Sequence, residues 1–292
     1  MRGDGDGWVR CGDGQRRWGR HGAAGLLLRA PGPDPADPLV LLQLRVGWSH
    51  HGGTWGIPGG ARDSDEDAAA AALREAAEET GIDPGLVGIR GSVVDDLGGD
   101  PSGWSYTTVV ADVAEPLGTV LDRESDALQW VPESAVADLT LHPGFRASWP
   151  VLQARPVRLV VDVANVVGTV PDGWWRDRAG ASTRVLTGLA AALPRTADLG
   201  GPAGGPGGGR CFTRLTGAVA VLEGAARTAD DVTGLTVVRA TGSGDDAVVA
   251  AAGEVAATGA EPVVVSADRG LLARLPAGTG SLAPSVLRSW LA

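Results

Sequence analysis

The sequence predicts an α/β protein of two domains, and three observations carry that expectation. Short apolar runs alternate with helix-forming stretches along the chain, the pattern of sheets covered by helices. At 292 residues the chain is long enough for two ordinary domains. Charge also divides it: residues 1–154 hold 12 Arg against 23 Asp and Glu, a net of −11, and residues 155–292 hold 13 Arg against 12 acids, a net of +1. A boundary is therefore expected after Trp149-Pro150, giving domains 1–154 and 155–292.

Composition narrows the classes. The acidic first half argues against non-specific nucleic-acid binding there, because phosphate backbones need a basic face; the second half is not excluded by charge. Cys11 and Cys211 stand far apart, so neither a disulfide framework nor a zinc site is implied. No apolar stretch approaches a membrane span, and the N-terminus is polar and Gly-rich rather than a signal peptide. A soluble cytoplasmic protein with no membrane partner is expected. Every strongly basic residue is Arg, and Ala and Gly abound, which reads as genomic bias rather than function.

In the first half, Ala23 to Leu28 and Leu39 to Leu44 read as buried strands separated by the Pro-rich loop Pro31 to Pro38. Ala68 to Ala77 is a dense block of good helix formers, and Gly81 ends it. Gly91 to Asp96 and Trp104 to Val113 read as a hairpin-like pair about the turn Gly98-Gly99-Asp100-Pro101. Gln129-Trp130-Val131 starts a last strand, and Pro132 to Leu139 forms a short closing helix.

The helix carries the chemistry. Glu75, Glu78 and Glu79 stand at i, i+3 and i+4, on one helical face. Three carboxylates that close repel one another unless something positive sits between them, and a hard divalent cation such as Mg²⁺ or Mn²⁺ suits oxygen ligands and substrate phosphates. Arg74 precedes them and can hold Glu75. Gly59-Gly60 lets the backbone turn sharply and bring a carbonyl near the metal. A solvated acidic helix face is the bland alternative; it explains neither the loop glycines nor the arginine.

The run Gly60 to Ile82, GARDSDEDAAAAALREAAEETGI, fits Gly-x5-Glu-x7-Arg-Glu-U-x-Glu-Glu-x-Gly-U, where U is apolar and the small Ala76 takes the first such place. It resembles the signature of the Nudix hydrolases. That resemblance, over about residues 7 to 152, implies an α/β/α sandwich with a mixed sheet. It also implies hydrolysis of nucleoside diphosphates linked to another group, by metal-activated water at phosphorus. It further implies that Glu75, Glu78 and Glu79 ligate the metal with the Gly59 backbone, that Arg74 orients Glu75, and that Glu66 supports the loop-helix-loop. A further glutamate from a downstream loop often serves as base or extra ligand in the family; Glu124 is the candidate, an ordinary loop carboxylate the alternative. Trp104 and Tyr106 share one side of a strand and either stack on a base or pair in the core. His50-His51, in the loop before Trp55, either touch phosphates or are simply solvated. There is no SQPWPxPxS run like that of NADH pyrophosphatases. Nor is there a proline about sixteen residues past the motif as in ADP-ribose pyrophosphatases, that region reading Leu97-Gly98. A mutator-type nucleoside-triphosphate pyrophosphatase remains by elimination.

In the second half, Val157 to Val163, Ala218 to Leu222, Leu235 to Val238 and Pro262 to Ser266 alternate with helix-like segments, which implies a parallel sheet with sites at its carboxyl ends. Asp162 and Asn165, Glu223, Asp245-Asp246 and Asp268 stand at those ends. They make either a second divalent-metal site or ordinary helix caps and turns. The motifs VVDVAN, GSGDDAVV and VVVSADRG resemble the PIN-like nuclease superfamily, particularly its NYN branch. That resemblance implies a Rossmannoid domain in which Asp162, Asn165, Asp245, Asp246 and Asp268 bind metal for RNA phosphodiester cleavage, with Glu223 a looser fit. Arg176, Arg178 and Arg184 beside Trp174-Trp175 form either an RNA platform or a surface helix edge. Leu199 to Arg210, LGGPAGGPGGGR, cannot form a core element and reads as a flexible surface insertion. The expectation is a Nudix pyrophosphohydrolase fused to a PIN-like domain. The alternatives are an RNA-processing factor that trims a 5′ phosphate or cap and cuts RNA, or a non-catalytic nucleotide-binding regulator, which has no need of all three motif glutamates.

Overall fold

The computed structural model describes residues 3–34, 37–96, 101–171, 173–198 and 212–291. The chain divides into two compact units, Met1–Ala154 with Thr196–Phe212 and Arg155–Arg195 with Thr213–Ala292.

The first unit opens on a hairpin, β1 (Trp8–Arg10) and β2 (Arg16–Trp18). A mixed sheet follows, built of β3 (Ala23–Asp34), β4 (Asp37–Arg45), β5 (Trp55–Gly56) and β6 (Gly59–Ala61), then, after α1 (Ala68–Thr80), of β7 (Gly88–Asp95), β8 (Tyr106–Asp112) and β9 (Ser125–Pro132). Helix α2 (Pro143–Leu152) closes the unit. β3 is the hub. It runs parallel to β8, its start pairs antiparallel with β6, and its later part pairs antiparallel with β4. Side chains alternate across a strand, so Ala24, Leu26 and Leu28 meet α1 on one face while Leu27 joins Phe145, Trp149 and Leu152 of α2 on the other. The sheet thus lies between helices. Ala71, Ala72 and Ala76 are the buried face of α1, and their small side chains let the helix sit close on the sheet.

Several expectations are corrected here. The stretch Pro31 to Pro38 is not a loop throughout: β3 continues to Asp34 and β4 begins at Asp37, with a register irregularity between Ala30 and Asp34 that accommodates the prolines. Residues 35 and 36, the turn residues Gly98, Gly99 and Asp100, and the insertion Leu199 to Arg210 lie outside the described residues. Pro132 to Leu139 holds a 3-10 turn, Glu133–Asp138, and the closing helix is α2, eleven residues later than expected.

A buried ion pair ties these pieces together. Arg29 of β3 is fully buried, and its Nε and Nη2 donate to both carboxylate oxygens of Glu133 at 3.0 and 2.7 Å. The same Nη2 donates to the Leu152 carbonyl at the end of α2, and the Ala154 N–H donates to Glu133. A buried charge is tolerated only when paired and hydrogen-bonded.

The second unit holds β10 (Arg155–Asp162), α3 (Val163–Gly168) and α4 (Arg178–Ala192), with β11 (Arg195–Asp198) at the division of the units. Then come β12 (Phe212–Leu222), β13 (Thr236–Arg239), α5 (Gly244–Ala257), β14 (Glu261–Val265), α6 (Arg269–Leu272), β15 (Gly280–Leu282) and α7 (Pro284–Arg288). β10 lies between β12 and β14, β13 adds to β12 and β15 to β14, and all of these pairings are parallel. The four apolar runs therefore do form parallel strands. Val248, Ala251, Ala252 and Val255 of α5 pack on Val160, Val219 and Val264.

Replacing Arg29 by Met leaves Glu133 buried without its cation, an arrangement that costs about 3–5 kcal/mol. The expected loss is read by urea denaturation followed through near-ultraviolet signal from Trp149, which sits in the same core. Arg29→Met with Glu133→Leu is expected to recover much of the loss; a single variant as stable as wild type would show the pair to be dispensable.

Candidate active site

The loop from Gly59 to Asp67 and helix α1 build the site. Asp67 caps the helix, its carboxylate accepting the Ala70 N–H at 2.8 Å, and Gly81 ends it at φ 72°, in the left-handed region that glycine enters without strain. Arg74 then joins helix to loop. It donates to both oxygens of Glu66 at 2.6 and 3.2 Å, to Glu75 at 2.8 Å and to the Ala61 carbonyl at 3.0 Å. Glu66 also accepts the Asp63 N–H at 2.9 Å, and the Arg74 hydrogen bonds hold its carboxyl below the usual range. Glu66 and Arg74 thus tie the loop to the helix, and Arg74 also holds Glu75.

The two loop glycines are required by space. A Cβ at Gly59 would strike the Ala24 and Gly25 backbone, where β6 lies hard against β3. A Cβ at Gly60 would stand 2.5 Å from the Glu75 carboxylate. The Gly59 N–H, rather than a carbonyl, makes the observed contact, donating to Glu79 at 2.8 Å.

The three glutamates of one helical face are not equivalent. Glu79 is 5% exposed, Glu75 is largely buried, and Glu78 is open to solvent, 3.8 Å from Arg74. Burial pushes Glu79 up to about 8, against the lowering pull of the Gly59 N–H, and Glu75, Glu124 and Asp122 push it further. Burial also raises Glu75, more than Arg74 lowers it, with Glu78 and Glu124 adding to the rise. The charges of Glu124 and Asp122 thus act on this pair of glutamates, Glu124 on both and Asp122 on Glu79.

All of these donors are carboxylate oxygens short of positive charge, which suits a hard divalent cation in kind. Among the described residues, no three His, Cys, Asp or Glu side chains are gathered closely enough to hold a metal ion as they stand.

Trp104 and Tyr106 do not form the expected pair. The strand begins at Tyr106, so Trp104 lies before it, its indole N–H donating to the Trp18 carbonyl at 3.2 Å with Arg17 over its ring. Tyr106 is partly buried and packs against the core, and a Cβ on Gly25 would collide with its hydroxyl. Burial raises that phenol, as do Glu79 and Glu75.

In the second unit a cavity of about 420 Å³ opens at the carboxyl ends of the strands, lined by Asp162, Asn165, Glu223, Asp245 and Asp268 among others. Several of these are also structural. Asp162 caps α3 and accepts the Ser266 hydroxyl at 3.0 Å, Asp268 caps α6, Asn165 accepts the Ala267 N–H, and Glu223 accepts the Gly244 N–H. Burial raises Asp162, with Glu223 and Asp245 adding to the rise. Asp246 is the correction: it lies outside the cavity, paired with Arg274 of the segment after α6. Asp245, beside it on the helix, lines the cavity and also lies 3.8 Å from Arg274. Trp174 and Trp175 meet edge to face before α4 with Arg178 over Trp174. No helix of the described residues is long and apolar enough to cross a membrane.

A mixed sheet between helices, with a loop-helix-loop of glutamates clamped by one arginine, defines a class. The NUDIX domain family matches residues 19–153, and the chain belongs to it; the protein is a Nudix hydrolase. Over 158 residues, 53% of this chain and 72% of the relative, it is 57% identical to a Mycobacterium tuberculosis protein named "Putative 8-oxo-dGTP diphosphatase 3". A Bifidobacterium longum "Nucleoside triphosphate pyrophosphatase/Nudix hydrolase fusion protein" is 40% identical over 52% of this chain and 31% of the relative. A solved Nudix hydrolase from M. Smegmatis, RenU, is 50% identical, covering 57% of this chain and 98% of that one, with a TM-score of 0.46.

Glu79 also makes stability depend on pH in metal-free protein. The folded state keeps a proton up to about pH 8 that the unfolded chain gives up near 4.5. Stability therefore falls as pH rises through that window. Glu79→Gln is expected to flatten the fall and, in EDTA at pH 8, to stabilise the fold by on the order of 1–3 kcal/mol. Urea midpoints at pH 5 and pH 8 check this; an unchanged pH slope in the variant would remove the assignment.

Proposed function

We propose that the first unit is a metal-dependent pyrophosphohydrolase acting on a nucleoside triphosphate, with an oxidised purine nucleotide as the substrate class. The observation that carries the reading is Glu79: a carboxylate sunk beside Gly59, surrounded by Glu75, Glu124 and Asp122. Such an arrangement is costly unless a cation is meant to share it. The similarity to the M. tuberculosis protein supports the substrate class.

Mg²⁺ or Mn²⁺ would be held by Glu75, Glu78 and Glu79 with the Gly59 backbone; when bound, it activates water and offsets phosphate charge. The chain's own residues do the rest. Arg74 fixes Glu75 and, through Glu66, the loop that carries Gly59. Glu124, whose charge acts on both Glu75 and Glu79, is the residue assigned in this reading to take a proton from the attacking water. Glu79→Gln should lower turnover of 8-oxo-dGTP and dGTP at least 100-fold with Mg²⁺ while the fold persists, measured as pyrophosphate release. Near wild-type turnover would end the metal-site reading.

For the second unit we infer a divalent-cation site at the strand ends, in a PIN-like nuclease domain, supported by the cavity that gathers Asp162, Asn165, Glu223, Asp245 and Asp268. The cavity lining holds no arginine among the described residues, and Arg274 is engaged by Asp246 and Asp245. That setting favours a cation over a tightly held RNA backbone. Asp162→Asn should leave nucleotide hydrolysis unchanged and abolish Mn²⁺-dependent cleavage of single-stranded RNA. Cleavage at the wild-type rate, or none by the wild type itself, would overturn the nuclease assignment.

A further inference from the structure

Five rings stand in file in the first unit. Trp18 and Trp8 meet edge to face with centroids 5.4 Å apart, and Trp8 and His50 do so at 5.5 Å. His50 and His51 follow at 4.0 Å, and His51 and His142 complete the file at 4.8 Å. Three distant segments supply them: the β1–β2 hairpin, the loop between β4 and β5, and the residue that caps α2. The hairpin is held in place from outside, the Gly5 N–H donating to Asp63 of the motif loop and the Arg20 N–H to the Gly5 carbonyl. None of these rings has a part in the carboxylate chemistry above.

The two ends of the file differ in kind. Trp8 and Trp18 are 42% and 41% exposed, with the Arg16 guanidinium 5.4 Å from the Trp8 ring centre. Neighbouring indoles left open to water, beside a cation, make a surface on which a flat heteroaromatic ring stacks. The inner end offers N–H donors beside one fixed cation. The His142 Nδ1 accepts the Gly144 N–H at 3.2 Å, which leaves its proton on Nε2 as a donor. Arg45, at the end of β4, donates to the His50 carbonyl at 3.3 Å, and the positive end of the ten-residue helix α2 adds to the field. Burial first, then His51, Arg45 and His50, hold His142 down to about 4, and burial with His51 and Arg45 lowers His50. An anion entering here would meet Arg45 and imidazole N–H donors with no carboxylate among these rings.

The inner end stands on the segment that leads into the carboxylate site: the His142 N–H donates to the Trp55 carbonyl at 2.7 Å, four residues before Gly59, whose own N–H meets Glu79. A stacking surface at one end and an anion surface at the other are the two halves of a nucleotide's chemistry.

We propose that this ring file is the nucleotide-binding wall of the hydrolase: the base stacks at Trp8 and Trp18, and Arg45, His51 and His142 meet the phosphates. The proposal rests on the reading of the first unit as a nucleotide hydrolase and names how that site selects its substrate.

The test is calorimetric binding of dGMP and of inorganic pyrophosphate to the full chain with Mg²⁺, conditions in which dGMP is not consumed. The proteins are wild type, Trp8→Leu, which keeps apolar bulk but loses the π face, and His142→Asn, which keeps a side-chain acceptor for the α2 cap. Trp8→Leu is expected to weaken dGMP tenfold or more and leave pyrophosphate within twofold. His142→Asn is expected to weaken both by threefold to tenfold. Unaltered dGMP binding in both variants, or none by the wild type below about 1 mM, overturns the wall. Turnover of 8-oxo-dGTP separates the two readings: a chain that hydrolyses it with KM unchanged in both variants keeps the enzyme and loses the wall. A chain that shows the binding losses without turnover keeps the wall and loses the enzyme.

Discussion

The first unit's chemistry depends on a single guanidinium. Arg74 faces Glu66 across the loop and Glu75 on its own helix, and its Nη2 also reaches the Ala61 carbonyl. Charge-assisted, partly bidentate bonds of this kind fix direction as well as distance. Without them the loop would lose its tie to α1, and the Gly59 N–H would lose its place against Glu79. Lysine, a point charge on a flexible stem, could not satisfy three acceptors in these directions. The clamp needs room, and the bare α-carbon of Gly60 provides it beside Glu75.

Each unit holds acidic groups with backbone donors, and burial opposes ionisation at one of them in each, Glu79 and Asp162. Glu79 accepts an N–H from Gly59, Asp162 one from Asn165, Asp268 two from Gly270 and Leu271, and Glu223 one from Gly244. Backbone donors orient a carboxylate without cancelling its charge, and so leave it able to meet another cation. Side-chain partners behave otherwise. Glu133 and Asp246, taken up by Arg29 and Arg274, are spent on the fold or the surface.

Much of this was legible along the chain because it is local. The α1 block with Gly81 after it, the i, i+3, i+4 glutamates, and the polar residues closing each parallel strand all lie within a few positions of their cause. The failures share the opposite trait. β1 and β2 are three residues each, too short to show a period, and Trp18 meets Trp104 only through a bond spanning 86 positions. Trp104 so held lies two residues before the strand that begins at Tyr106. α2 is masked along the chain by Pro143 and Pro150, although the first sits where no N–H is needed, and by its histidine cap, an uncommon one. Asp246 was misplaced because a strand-end motif says nothing of which of two adjacent carboxylates turns inward.

Because His142 caps α2 with the ring that ends the file, helix and ligand draw on one imidazole. At the far end, roughly 15 Å along the axis, the Leu152 carbonyl holds Arg29 in the core. Protonation or occupancy at His142 thus alters a cap worth on the order of 1 kcal/mol on a rod whose other end is pinned. Such a helix frays from one side only. Its first-turn amides exchange with solvent at a rate set by the state of that ring, while those of its last turn follow the unfolding of the whole unit.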